Sequence, residues 1–241
     1  MTQMSRRAFL GCACCAGLAA LTCLSAPPFT SPAVAAGPKT NLTPDQALKL
    51  LKEGNDQFLT DAPFRREGDK QRRIEIARGQ APFAVLVSCS DSRVPPELLF
   101  GRGLGELFIV RNAGNTVDTV ALGSIEYAVA ELGVPLILVL GHERCGAVDA
   151  AVSVVEKGTS FPGSIGRMIE PIVPAVITAR SAKGEGDLLD KSVRENVRRT
   201  VNRLRTASEP MLLDPLRAGK LRIVGARYDL DDGGVDFFDE G

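Results

Sequence analysis

Three side chains, Cys89, His142 and Cys145, decide what chemistry this sequence can do. Beyond residue 36 the chain carries a single histidine and two cysteines. Cys89 opens the run Cys89-Ser90-Asp91-Ser92-Arg93, and His142 and Cys145 form a His-x-x-Cys pair directly after the apolar run 134–140. Thiolate and imidazole are the ligands that borderline-soft Zn²⁺ prefers, and three protein ligands leave the fourth tetrahedral position for water, as a catalytic site requires. Each residue alone has a plainer use: a free cysteine packs as a small hydrophobe, and a lone histidine is commonly a hydrogen-bonded core residue. An exported chain would also permit a disulfide. Two thiols with the only imidazole beside one of them favour a metal over either alternative.

Asp91 lies two residues from one ligand and Arg93 two further on, so one loop presents a carboxylate and a guanidinium side by side. That spacing suits charge-assisted, bidentate pairing next to a metal, although an ordinary loop ion pair would use the same residues.

The elements that must position these groups read as alternating strands and helices. Residues 83–88, 107–110 and 134–140 are short and continuously apolar, the pattern of strands covered on both faces of a parallel sheet. Between the last two, Val120, Ile125, Ala128 and Leu132 have helical spacing, which makes a strand-helix-strand crossover. The expected fold is α/β, an open and mainly parallel sheet flanked by helices, in a single domain. Such sheets bind ligands at the carboxyl ends of their strands, and Cys89 and His142 are each expected just past a strand end.

Around this centre, Thr43-Pro44-Asp45 predicts a helix that starts at Pro44. Residues 61–80, rich in arginine, read as a solvated helix face and loop. A helix is expected over 146–155, a Gly/Ser/Pro loop over 157–166, and a helix kinked or broken by Pro171 and Pro174 over 165–182. Val193, Val197, Val201 and Leu204 mark a further helix whose arginines, including Arg194, Arg198, Arg199 and Arg203, form a solvated face. Residues 221–224 and 235–238 read as terminal strands around Asp231-Asp232-Gly233-Gly234.

Lys plus Arg equals Asp plus Glu at 29 each, so no net field recruits nucleic acid or an anionic membrane surface; a small molecule is the expected partner. The amino terminus carries Ser5-Arg6-Arg7-Ala8-Phe9-Leu10, an apolar stretch from Gly11 to Leu24, and Ala33-Val34-Ala35-Ala36. Paired arginines, a short apolar region and an Ala-x-Ala site resemble a twin-arginine export signal. Residues 1–36 are therefore expected to be removed, leaving residues 37–241 as a zinc domain outside the cytoplasm, most simply in the periplasm. The apolar stretch is too short to span a bilayer, so no stable anchor is expected after cleavage.

Three blocks, Cys89-Ser90-Asp91-Ser92-Arg93-Val94-Pro95, Val110-Arg111-Asn112-Ala113-Gly114-Asn115 and Gly141-His142-Glu143-Arg144-Cys145-Gly146, jointly resemble the β-class carbonic anhydrases in order and spacing. Gly54-Asn55 before Phe58 and the run Gly225-Ala226-Arg227-Tyr228-Asp229-Leu230 extend the match over nearly the whole mature chain.

The resemblance implies one Zn²⁺ per chain on Cys89, His142 and Cys145, and reversible hydration of carbon dioxide to bicarbonate by zinc-bound hydroxide. It implies that Arg93 keeps Asp91 off the metal so that Asp91 orients the nucleophile, and that Gln80, Phe108, Tyr127 and Gly114 serve the substrate pocket. It implies a homodimer or tetramer, with Gln80 or Tyr127 entering a neighbouring subunit's site. Hydrolysis of carbon disulfide or carbonyl sulfide on the same site is the enzymatic alternative, and a silent zinc-binding protein the other. With no Trp in the chain, the noncatalytic bicarbonate pocket of some relatives cannot be built in its usual form. Two departures stand out: Gln57 where Gly-Asn-x-Arg-Phe is usual, and Glu143-Arg144 between two ligands.

Overall fold

The computed structural model describes residues 39–61, 68–182 and 186–241; the expected leader, residues 1–36, lies outside them. The first helix, α1 (Pro44–Leu59), begins where Thr43 makes a capping box with Gln46: Gln46 N–H donates to the Thr43 hydroxyl at 3.2 Å and Thr43 N–H to the Gln46 side chain at 2.8 Å. In chain order follow α2 (Lys70–Ile76), β1 (Ala84–Ser88), α3 (Pro96–Leu99), β2 (Leu107–Arg111), α4 (Thr119–Ala130), β3 (Leu136–His142), α5 (Gly146–Lys157) and α6 (Gly163–Ile169). The remainder is α7 (Val173–Ser181), α8 (Leu188–Arg205), α9 (Pro210–Arg217), β4 (Arg222–Tyr228) and β5 (Val235–Asp239). The strands form one sheet in the order β2-β1-β3-β4-β5, parallel except for β5, which pairs antiparallel with β4.

The expected α/β sheet is therefore present, with local differences. His142 is the last residue of β3 rather than a loop residue beyond it, because β4 continues to pair up to Tyr228 opposite it. The predicted loop over 157–166 turns helical at Gly163, and Pro171 and Pro174 break the following helix through a 3₁₀ turn at Glu170–Ile172. The arginines of α8 are not simply solvated. Arg194 and Arg198 stack on the Phe238 ring, at 5.1 and 5.0 Å, and Arg203 donates to the Val117 carbonyl. Helix α9 has no counterpart in the sequence reading, since Pro210 and Pro215 mask it; Pro210 sits at its start, where no N–H is needed.

β1 and β3 are buried along their whole length because both sheet faces are covered. On one face, Val85, Val87, Ile137, Val139 and Ile223 pack with α4, α8 and α9; on the other, Leu86, Leu138, Leu140 and Val224 pack with Leu48, Leu51 and Phe100. Each of these aliphatic side chains contributes roughly 1.5–3 kcal/mol by leaving water. A third cluster, built from α5, α6 and α7, packs against Cys89 and Cys145 themselves.

Two close approaches set the distances between layers. Gly141 on β3 and Gly225 on β4 lie diagonally on one face, and a Cβ there would fall 2.6 and 2.9 Å from the methyls of Val197 on α8. The missing side chains let α8 sit directly on the sheet beside His142. At Gly54 a Cβ would fall 2.0 Å from the Phe100 carbonyl oxygen, and the adjacent Asn55 amide donates to Gly233 at 3.0 Å while its oxygen accepts from Val235 N–H at 2.9 Å. The Gly54-Asn55 pair thus ties α1 to the β4–β5 turn. No helix among the described residues is long and apolar enough to cross a membrane.

Candidate metal centre

The carboxyl ends of two adjacent strands deliver the three ligands. Cys89 follows the end of β1, His142 ends β3, and Cys145 caps the amino end of α5 three residues later. Their ligand atoms lie within 4.8 Å of one another and all three residues are buried, with the two sulfurs 3.9 Å apart as free cysteines. His142 Nδ1 faces the Glu143 carbonyl at 2.8 Å, so Nδ1 is the protonated nitrogen and Nε2 carries the lone pair. Nε2 is buried and has no hydrogen-bond partner among the described residues. A buried imidazole lone pair left unmatched beside two sulfurs is what a zinc ligand set requires, and the donors fit that metal.

The sulfurs differ in acidity. The Cys89 thiol is pushed down, chiefly by the hydrogen bond from Cys145 and further by the backbone N–H of Gly114. Cys145 is pushed up, because its proton donates to Cys89 and because it is buried. Two thiolates this close repel, so the pair retains a proton until a cation replaces it.

Asp91 stands beside the cluster, its Oδ2 3.8 Å from His142 Nε2. Arg93 grips it from the outside: Nε donates to Oδ1 at 3.0 Å, a terminal nitrogen to Oδ2 at 2.7 Å, and the Arg93 backbone N–H to Oδ1 at 2.9 Å. The guanidinium holds the Asp91 carboxyl far below the usual carboxylate range. Arg111 fastens this loop from beneath by donating to the Cys89 and Asp91 carbonyls at 2.9 and 2.6 Å.

At Gly114 a positive φ and a close approach to the cluster coincide. Its φ is 69°, its N–H donates to Cys89 Sγ at 3.3 Å, and a Cβ would fall 2.6 Å from Ile172. Asn196 on α8 donates to its carbonyl at 2.8 Å, a contact no local sequence signal announces.

Gln80, Phe108 and Tyr127 are not brought to the cluster within one chain. Gln80 precedes β1 and so lies by the end of that strand opposite Cys89, roughly 16 Å away along a five-residue strand. Phe108 pairs in register with Val85, four residues before Cys89. Its ring meets Tyr127 at 6.4 Å, where α4 runs back along β2.

Residues 84–235 match the profile of a family described as carbonic anhydrase, a span that contains all three ligands, Asp91 and Arg93. Carbonic anhydrase 2 of Mycobacterium tuberculosis is 42% identical over 193 residues, which covers 80% of this chain and 92% of that protein. The chain belongs to the carbonic anhydrase family. Solved structures place it in the β class: a Coccomyxa β-carbonic anhydrase, determined in complex with acetazolamide, shares 31% identity and a TM-score of 0.62, covering 79% of this chain and 86% of its own. One of two tetrameric β-carbonic anhydrases from Sordaria macrospora superposes with a TM-score of 0.61 at 26% identity, covering 68% of this chain and 84% of its own. The carbonic anhydrase profile begins at β1 and closes at the start of β5, so α1 and Gln80 lie outside it.

Proposed function

We propose that this chain is a zinc-dependent β-carbonic anhydrase that interconverts carbon dioxide and bicarbonate. The observation that carries the reading is the buried Cys89-His142-Cys145 cluster with Asp91 beside it, turned aside by a two-point grip from Arg93. Cys89, His142 and Cys145 would hold the metal, which when bound supplies Lewis-acid activation of water near neutral pH. Asp91 acts by orientation. It stays ionised because Arg93 neutralises it, and its outer lone pairs accept a hydrogen bond from the attacking water, aiming the oxygen at the substrate carbon. Arg93 keeps that carboxylate from becoming a ligand itself.

The substrate side of the pocket comes from a second copy. Strand β2 is the open edge of the sheet, and a groove of about 260 Å³ runs along it, lined by Phe108, Arg111, Asn112, Asp118, Val120 and Ser124. Val120 is 78% exposed there and Tyr127 is 37% exposed. Pairing of two chains along this edge covers an apolar strip and carries Gln80, Phe108 and Tyr127 toward the neighbour's metal centre, making a homodimer the minimum unit and a tetramer its doubling. The paired arginines, apolar stretch and Ala-x-Ala of residues 1–36 support export in the folded state, with the mature enzyme in the periplasm.

The test is stopped-flow hydration of carbon dioxide at about pH 8.5, above the ~7 at which a protein-held zinc water ionises, with the signal-free protein and its zinc content measured on the same sample. Fast turnover at one zinc per chain is the expected result. A zinc-loaded protein inert toward carbon dioxide but active on carbon disulfide or carbonyl sulfide would replace the substrate; one inert to all three would leave a binding protein.

A further inference from the structure

Beside the metal loop lies a knot of charge to which the carbonic anhydrase reading gives no role. We propose that Glu143 and Arg227 are positioning residues for His142: their ion pair clamps the peptide whose carbonyl fixes the tautomer and the ring orientation of that ligand. The inference rests on the zinc reading of the site.

The residue that carries this carbonyl is Glu143. Its carbonyl accepts from His142 Nδ1 at 2.8 Å, and its N–H donates to the Tyr228 carbonyl of β4 at 3.0 Å. Whether this carbonyl stays in line with the ring depends on what holds the residue that bears it. The Glu143 side chain is held three times: Oε1 lies 3.6 Å from the Arg227 guanidinium, and Oε2 accepts from Leu230 N–H at 3.3 Å and lies 3.2 Å from the Arg144 guanidinium. Arg227 sits on β4 directly opposite Gly141, on the face covered by α8, with only 11% of its side chain exposed. It also pairs with Asp190 of α8 and, at 2.9 Å, with Asp229. The next residue, Arg144, is held in the left-handed region at φ 50° and forks onto Asp231 at 2.9 and 2.7 Å. Both residues between the ligands His142 and Cys145 are therefore fastened to the β4–β5 turn.

A metal-bound imidazole is oriented through its other nitrogen, and partners of that kind are worth ten- to a hundredfold in metal affinity. Glu143 is the cleaner point of attack. Without it, Arg227 still has Asp190 and Asp229, so no guanidinium is stranded; removing Arg227 would leave three carboxylates together.

The experiment measures zinc affinity by competition with a chromogenic chelator on wild type, Glu143→Ala, Glu143→Gln and, as a distant control, Asp45→Ala, which breaks the 2.6 Å pair with Arg222 at the far end of β4. The cobalt-substituted proteins give the ligand-field spectrum as a readout that stability does not move. We expect zinc to bind Glu143→Ala about 10–100-fold more weakly than wild type, with shifted cobalt bands. Glu143→Gln, which keeps an oxygen for Leu230, should fall between, and Asp45→Ala should match wild type. Zinc binding of Glu143→Ala within threefold of wild type, with an unshifted cobalt spectrum, overturns the proposal. If the alanine variant does not fold, wild-type affinity in Glu143→Gln overturns it equally. A wild type that takes up no zinc overturns the zinc reading and this inference together.

Discussion

Adding one methyl at Gly141 tests whether α8 is seated on the sheet as closely as the geometry requires. An ideal Cβ at this position falls 2.6 Å from Val197 Cγ2 and 3.1 Å from Val193 Cγ1, against a comfortable carbon–carbon separation of about 3.5–4.0 Å. The overlap is therefore on the order of 1 Å on the nearer contact. Neither valine can swing aside: Val197 and Val193 are buried, at 0% and 1% exposure, and a helical valine has essentially one χ1 rotamer. The helix must retreat instead, and it rests on β3 and β4 alike. Overpacking of this kind costs roughly 1–3 kcal/mol, which in a chain of this size lowers Tm by about 2–4 °C per kcal/mol. Val197→Ala alone removes two buried methyls, about 1.6 kcal/mol by transfer alone. In the double variant the new methyl occupies the space that Val197 vacates, so its cost should be about that of Val197→Ala and well short of the sum. The assay is equilibrium urea unfolding at fixed zinc and protein concentration, with m-values compared across the cycle. Strict additivity, or Gly141→Ala within about 0.5 kcal/mol of wild type, would refute the close seating of α8 beside His142.

Removing Arg93 frees Asp91 from its two-point grip; Arg93→Ala should lower turnover about 10–100-fold with zinc content unchanged. Because the guanidinium depresses the Asp91 pKa, the carboxyl should protonate at higher pH in the variant than in wild type, read from its carbon NMR signal; coincident titrations would show that Arg93 does not set the charge state of Asp91. Val120→Asp places a charge on the strip along β2 and should convert dimer to monomer by analytical ultracentrifugation while zinc stays bound, with activity falling as the neighbour's Gln80, Phe108 and Tyr127 withdraw. An unchanged sedimentation coefficient would place the interface elsewhere. Chelation of zinc should abolish turnover and expose two reactive thiols per mature chain to a thiol reagent, both protected again on re-addition of zinc; protection without metal would argue for a disulfide in solution.

The strands that carry the ligands were legible because β1 and β3 are continuously apolar, and a strand covered on both faces has to be. The α4 crossover followed from helical spacing between two such runs, and the break between α6 and α7 followed from Pro171 and Pro174. Helix α9 was hidden by its own prolines. The stacking of Arg194 and Arg198 on Phe238 was hidden because its partner lies on β5, and charge on a helix face gives no sign of what comes to rest on it.

Residue type and local spacing by themselves determined the Asp91-Arg93 pair, a carboxylate two positions from its guanidinium, and supplied the candidate ligands, two soft donors and one imidazole. Only the tertiary structure decided the rest. Cys89 and Cys145 are 56 residues apart in sequence and 3.9 Å apart in space because β1 and β3 are neighbours in a parallel sheet. The choice of Nε2 as the free nitrogen of His142 depends on where one carbonyl points, and that carbonyl is held by β4 and the turn after it. The separation of Gln80, Phe108 and Tyr127 from the cluster is likewise a matter of which end of a strand each occupies, a distance that short-range pattern does not encode.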